Sequence, residues 1–202
     1  MPKRGQPSPV KGRTFEKESY TSEEVRALLA RTSSRAPSAV RNHALICTLW
    51  QGGLRINEAL ELRPHDFDVD HAEIHVRRGK FEKSRRVKCG PDAAESVKRW
   101  LAVRGRLDLP KGAPLFCTLK GGKLFGTYVR ATLTRLAQGA GWTKRVHPHG
   151  FRHTFAVNLV RNGVPAPYIQ RQLGHASLDA TAAYLASISA DDIAEAMDRV
   201  EW

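Results

Sequence analysis

The stretch Glu73-Ile74-His75-Val76-Arg77, answered further on by Arg85-Arg86-Val87-Lys88-Cys89, decides the fold class. Ile74 and Val76 alternate with polar residues, the two-residue period of a strand with one buried face. The residues 78–84 between the two runs, mostly polar and including Gly79 and Lys80, read as a hairpin tip. On both sides of this hairpin the apolar spacing is helical. The expected fold is therefore mainly α with a small antiparallel β-sheet, of the α+β class.

Upstream, Thr21-Ser22-Glu23-Glu24 reads as a capping box, with Tyr20 and Val25 as its hydrophobic staple and Val25, Leu28 and Leu29 as the first stripe. A second helix is expected from Pro37-Ser38 to the break at Gly52-Gly53, and a third over 57–62, stopped by Pro64. Downstream, helical stripes cover 91–103 (Ala94, Val97, Leu101) and 127–140 (Val129, Leu133, Leu136, Ala140). Two more cover 150–162 (Phe151, Phe155, Leu159) and 167–173, the latter ended by Gly174. A last helix starts at Ser189, with Asp192 at the capping-box position, Ile188 and Ile193 as staple, and Ile193, Met197 and Val200 as stripe. The chain thus divides into a basic tail or linker (1–14), one domain (15–188), and an acidic amphipathic helix (189–202) that docks either on a neighbouring subunit or on its own domain.

Charge narrows the partner. The chain has 33 Lys and Arg against 20 Asp and Glu, a net +13. Residues 189–202 hold five acids and one base, so residues 1–188 carry 32 bases and 15 acids, a net +17. A body this basic neutralises phosphates and gains affinity from released counterions, which points to nucleic acid. No apolar run approaches the roughly 20 residues that span a bilayer. Met1-Pro2-Lys3-Arg4-Gly5 lacks the apolar core of a secretory signal. A cytoplasmic protein without a membrane partner is expected. Cys47, Cys89 and Cys117 are widely spaced, form no CxxC pair, and read as reduced thiols.

Four places hold polar residues that a core does not need. Gly52-Gly53-Leu54-Arg55-Ile56-Asn57-Glu58 puts Arg55 at a helix start, where its fork of donors suits two phosphate oxygens, and Glu58 one turn on, where it can orient that arginine. Alone, such a pair is an ordinary surface ion pair. Gly79-Lys80 sets a lysine on a hairpin tip, alone an ordinary solvated turn. His147-Pro148-His149-Gly150-Phe151-Arg152-His153 places His149 and Arg152 at a helix N-terminus, which favours anions. Gly174-His175-Ala176-Ser177 is followed nine positions after His175 by Tyr184, in an alanine-rich stretch. His149 and His153 have the spacing of zinc ligands on one helix face, but no Glu follows His149 in the HExxH manner and no Cys pair is nearby, so no metal is expected.

Together, the ordered set Gly53-Leu54-Arg55-x-x-Glu58, Gly79-Lys80, His149-x-x-Arg152-His153-Thr154-Phe155 and Leu173-Gly174-His175-x-Ser177, with Tyr184 beyond, resembles the catalytic domain of the tyrosine recombinase (phage integrase) family. The resemblance runs from about Thr14 to about Ala190. It implies the catalytic fold shared with type IB topoisomerases. It makes Arg55 and Arg152 the arginine pair on the scissile phosphate, Glu58 their acidic support, Lys80 the hairpin lysine, His149 and His175 the two histidines, and Tyr184 the nucleophile. Three departures stand out. The motif often reads His-Asp-Leu-Arg, so Gly150 removes an acid that would brace it locally. Phe81 stands where a second hairpin glycine is common. The chain begins in what resembles the linker to the family's N-terminal DNA-clamping domain.

The implied function is a site-specific DNA recombinase that cuts and rejoins double-stranded DNA through a 3′-phosphotyrosine, acting as a homo-oligomer, a tetramer, on its site. Covalent catalysis conserves the phosphodiester energy, so no cofactor and no small-molecule substrate are expected. Two alternatives stay open: a non-catalytic DNA-binding regulator on the same fold, and a type IB-like topoisomerase.

Overall fold

A computed structural model describes residues 19–33, 35–77 and 84–174. Thr21 caps α1 (Ser22–Ala30) through the full capping box with Glu24, and Val25, Leu28 and Leu29 are buried, as the spacing predicts. Helix α2 (Pro37–Gly52) starts at a proline and ends at Gly53, which is left-handed at φ 64°. Gly53 also meets a neighbour closely: a Cβ there would lie 2.3 Å from the Phe155 ring. No other residue type satisfies both conditions. A short helix α3 (Ile56–Glu61) follows.

The sheet has three antiparallel strands in the order β1-β2-β3. Strands β2 (Glu73–Val76) and β3 (Arg85–Lys88) are the expected hairpin, with Ile74 opposite Val87. Strand β1 (Phe67–Asp68) is not anticipated from sequence, because two residues show no period; it pairs Phe67 with Ile74. Of the expected hairpin tip at 78–84, residues 78–83 lie outside the described residues.

Helices α4 (Pro91–Arg104), α5 (Gly126–Gly139), α6 (Pro148–Arg161) and α7 (Ala166–Leu173) complete the described domain. Helix α6 starts two residues before the expected Gly150, because His147 caps it. Helix α2 lies at the centre and packs against α4 and α6. Its face carries Leu45, Ile46, Leu49 and Trp50 into a core shared with Val97, Trp100, Phe116 and Phe151. Burying side chains of this size contributes roughly 1.5–3 kcal/mol each. Trp100 also donates its indole N–H to the Leu115 carbonyl at 2.8 Å. A smaller cluster of Phe155, Ala156, Ile169 and Leu173 fastens α7 to α6. Helix α7 also joins the sheet edge: the Gln172 side-chain amide donates to the Lys88 carbonyl and accepts from the Lys88 amide. These two attachments bring the end of α7 beside β3 and α3. All three cysteines are free thiols, as expected.

Candidate active site

Arg55 caps α3, and Glu58 lies three residues on. The Arg55 amide donates to Glu58 Oε2 at 2.8 Å, and its Nη1 donates to Oε1 at 3.0 Å. One carboxylate therefore satisfies a helix-end donor and orients the guanidinium. Arg55 stays 38% exposed, Glu58 only 12%. Arg152 arrives from α6 and is 1% exposed. Its Nη1 donates to the Gly53 carbonyl and its Nη2 to the Leu173 carbonyl, both at 2.7 Å, while Nη1 lies 4.0 Å from Glu58 Oε2.

A third arginine completes the cluster. Arg85 on β3 donates from both terminal nitrogens to the two Glu58 oxygens, each at 2.9 Å, and from Nε to the Gln172 carbonyl at 3.2 Å. Arg55 Nη2 in turn donates to the Gly174 carbonyl at 3.3 Å. The carbonyls of residues 172, 173 and 174 thus receive Arg85, Arg152 and Arg55, one each. A helix C-terminus leaves its last carbonyls without intrahelical donors and carries the negative end of the dipole, so guanidiniums belong there. Gly174 makes the arrangement fit: its φ is +66°, and a Cβ would lie 2.9 Å from the Arg85 guanidinium.

Burial pushes the Glu58 carboxyl up. The bonds from Arg85 and the Arg55 amide, with the charges of both guanidiniums, outweigh that and hold it below the usual carboxylate range. With Glu58 ionised, the three arginines leave the cluster at a formal +2, a setting for an anion.

The N-terminus of α6 is built differently. His147 caps it by accepting the Gly150 amide at Nδ1, 3.0 Å away. His149, in the first turn, is exposed, with its ring stacked on that of His147 at 6.5 Å. Tyr20 pins this end: its amide donates to Thr154 Oγ1 at 2.7 Å, and its hydroxyl accepts the His147 amide at 3.0 Å. Its ring packs on Phe151 and Trp142. A Cβ at Gly150 would lie 2.2 Å from the Tyr20 hydroxyl. An aspartate at this position has no room, and Tyr20 supplies the local brace in its place.

Of the residues singled out from sequence, Arg55, Glu58 and Arg152 come together at the end of α7, and His149 lies three residues before Arg152 on the same helix. Lys80, His175 and Tyr184 lie outside the described residues, as does 189–202; His175 follows Gly174 directly in sequence. Arg85 escapes the sequence reading, although it carries a signal. Strand parity puts it on the face of buried Val87, and an arginine facing inward needs a partner. Among the described residues, no group of three or more His, Cys, Asp or Glu is placed to hold a metal ion, and no helix is long and apolar enough to cross a membrane.

Comparison with known proteins places the chain in a family. The phage integrase family model matches residues 18–190. Tyrosine recombinase XerD of Mycobacterium leprae (strain TN) is 37% identical over 187 residues, covering 87% of this chain and 58% of its own length. The chain spans about half the length of the curated relatives it matches. Among solved structures, XerA recombinase superposes with a TM-score of 0.79 at 28% identity, covering 92% of this chain and 66% of that one. XerH site-specific recombinase, in a post-cleavage complex with palindromic difH substrate, superposes with a TM-score of 0.73 at 28% identity, covering 90% and 52%. Motif order, the arginine cluster and these matches converge: the chain belongs to the phage integrase family, the tyrosine recombinases.

Proposed function

We propose that this chain carries the catalytic domain of a site-specific DNA recombinase. One observation carries the reading. Arg55 and Arg152 come from separate helices, share Glu58, and converge on the turn that leads into His175. In the proposed reaction the Tyr184 hydroxyl oxygen attacks a backbone phosphorus. The new bond is a 3′-phosphotyrosine, and the bond to the 5′-oxygen breaks. The tyrosine proton passes to His149, and Lys80 gives a proton to the departing 5′-oxygen. Tyrosine has an ordinary pKa of about 10, so attack near neutrality needs that acceptor. Arg55, Arg152 and His175 stabilise the charge on the non-bridging oxygens, where one well-placed donor contributes roughly 3 kcal/mol. Rejoining is the reverse attack by a 5′-hydroxyl, so the phosphodiester energy is conserved without a cofactor. The XerH complex with its substrate supports a DNA partner here.

The assembly is proposed to be a tetramer on DNA, with the acidic stretch 189–202 docked on a neighbouring subunit. A groove of about 550 Å³ offers such a segment an apolar surface with matching charge: Trp50, Phe155, Leu159 and Tyr168 line it, and Arg26 and Lys88 add positive charge. Deleting 189–202 is expected to abolish assembly on DNA; unchanged assembly removes the docking idea.

A nicked suicide duplex, selected from a random-sequence pool by binding to this chain, tests the chemistry. A covalent adduct that Tyr184→Phe eliminates supports the recombinase. No adduct favours the DNA-binding regulator, and relaxation of plasmids that lack paired sites favours the topoisomerase.

A further inference from the structure

We propose that Arg85 is a positioning residue for strand transfer, setting Glu58, and through it Arg55, while fixing the end of α7. The inference rests on the recombinase reading above and adds a residue to it.

The geometry is specific. Two parallel bonds of 2.9 Å join the Arg85 fork to both carboxylate oxygens of Glu58. With both oxygens engaged, the carboxylate has one orientation left, and in it Oε1 meets Arg55 Nη1 at 3.0 Å. The third donor, Nε, takes the Gln172 carbonyl, and the guanidinium lies against Gly174. The Arg85 side chain is 10% exposed, so solvent screens these contacts weakly. Arg85 therefore ties β3 to α3 and to the exit of α7. Lysine cannot replace it, because an ammonium group does not span two oxygens and a carbonyl in one plane. Arg86 makes the contrast. One residue on, it points to the other face, is 78% exposed, and pairs with Glu73 at 3.3 Å.

Without Arg85, Glu58 keeps only its bonds from Arg55, the fork that fixes the carboxylate from the other side is gone, and the bearing of Arg55 on the phosphate loosens. Single-turnover adduct formation on the selected suicide duplex is expected to slow on the order of 10- to 100-fold in Arg85→Gln, with affinity for the uncleaved duplex unchanged. Arg85→Lys is expected not to rescue the rate, and Arg86→Gln to leave it as it is. In a double-mutant cycle, Arg85→Gln added to Glu58→Gln is expected to cost much less than it does alone, because most of its action runs through Glu58 and only its bond to the Gln172 carbonyl remains to be lost. Equal and additive losses in both backgrounds overturn the proposal, as does full rescue by lysine. A second measurement does not depend on cleavage. The Arg55 Nε–H resonance is expected to move in Arg85→Gln and to stay in place in Arg86→Gln. An unmoved resonance sinks the positioning role even in an active enzyme, whereas a moved resonance with no adduct from the wild-type chain leaves the brace standing and defeats the recombinase reading instead.

Discussion

Two arginines of this domain are almost equally buried and do different work. Arg152 is 1% exposed and Arg41, on α2, is 3% exposed. Arg41 is held by neutral partners: Asn42 Oδ1 accepts from its Nη2 at 2.8 Å, the Cys117 carbonyl from Nη1 at 2.9 Å, and the Tyr128 hydroxyl from Nη2 at 2.5 Å. Among the described residues no carboxylate forms a salt bridge with it, and burial pushes its pKa down. It stitches α2 to α5 and to the loop at Cys117. Arg152 also donates to carbonyls, but it sits beside Glu58 and two further guanidiniums, and that cluster retains positive charge. A buried arginine alone therefore does not mark a site. Several of them around one shared acid at a helix end are what the proposed site adds.

Breaking each arginine separately is the sharpest way to test that contrast. Arg152→Ala is expected to slow Tyr184 adduct formation by about a hundredfold to a thousandfold, measured in single turnover on a nicked duplex. Arg41→Ala is expected to leave adduct formation per folded molecule intact and to lower unfolding free energy by about 3 kcal/mol in urea titrations, because buried partners lose a charged donor. If the two variants exchange these phenotypes, the division of labour is wrong. Gly150→Ala asks how tightly the α6 end is held. Its Cβ meets the Tyr20 hydroxyl, and overpacking of this kind costs about 1–3 kcal/mol, visible as a lowered Tm.

Acidity separates the two regions more gently. The Glu58 carboxyl lies below its ordinary range when folded, so its contribution to stability is complete above the unfolded value and is lost as pH falls through the folded one. The stability gap between wild type and Glu58→Gln is expected to be flat from neutral pH down to the ordinary carboxylate range and to close only below it. A gap that closes between pH 7 and 6 contradicts this. The smallest effect belongs to the thiols. Burial pushes Cys47 and Cys89 up to about 11, so neither is expected to take up iodoacetamide in the folded chain at pH 7.5, followed by mass spectrometry.

Much of this was legible in the residues because local rules wrote it. The Thr21–Glu24 box, the Gly53 and Gly174 stops and the alternation in Glu73–Val76 each depend on near neighbours, and each element stands where the pattern places it. The Arg55–Glu58 pair is local as well. What stayed hidden is long-range. Arg85 reaches Glu58 across 27 residues and the Gln172 carbonyl across 87, and Tyr20 reaches Thr154 across 134. No spacing rule encodes such distances. Phe67–Asp68 becomes a strand only because Ile74 and Glu73 lie beside it.

The ladder of arginines on the carbonyls of 172, 173 and 174 has a thermodynamic consequence. A free arginine side chain carries about 2 kcal/mol of rotamer entropy, which an incoming phosphate must freeze out. Here that disorder is surrendered when the domain folds, since each guanidinium already rests on a main-chain oxygen. A phosphate reaching this cluster exchanges acceptors with a rigid receptor instead of organising a loose one. Its binding should therefore register as heat more than as a loss of motion.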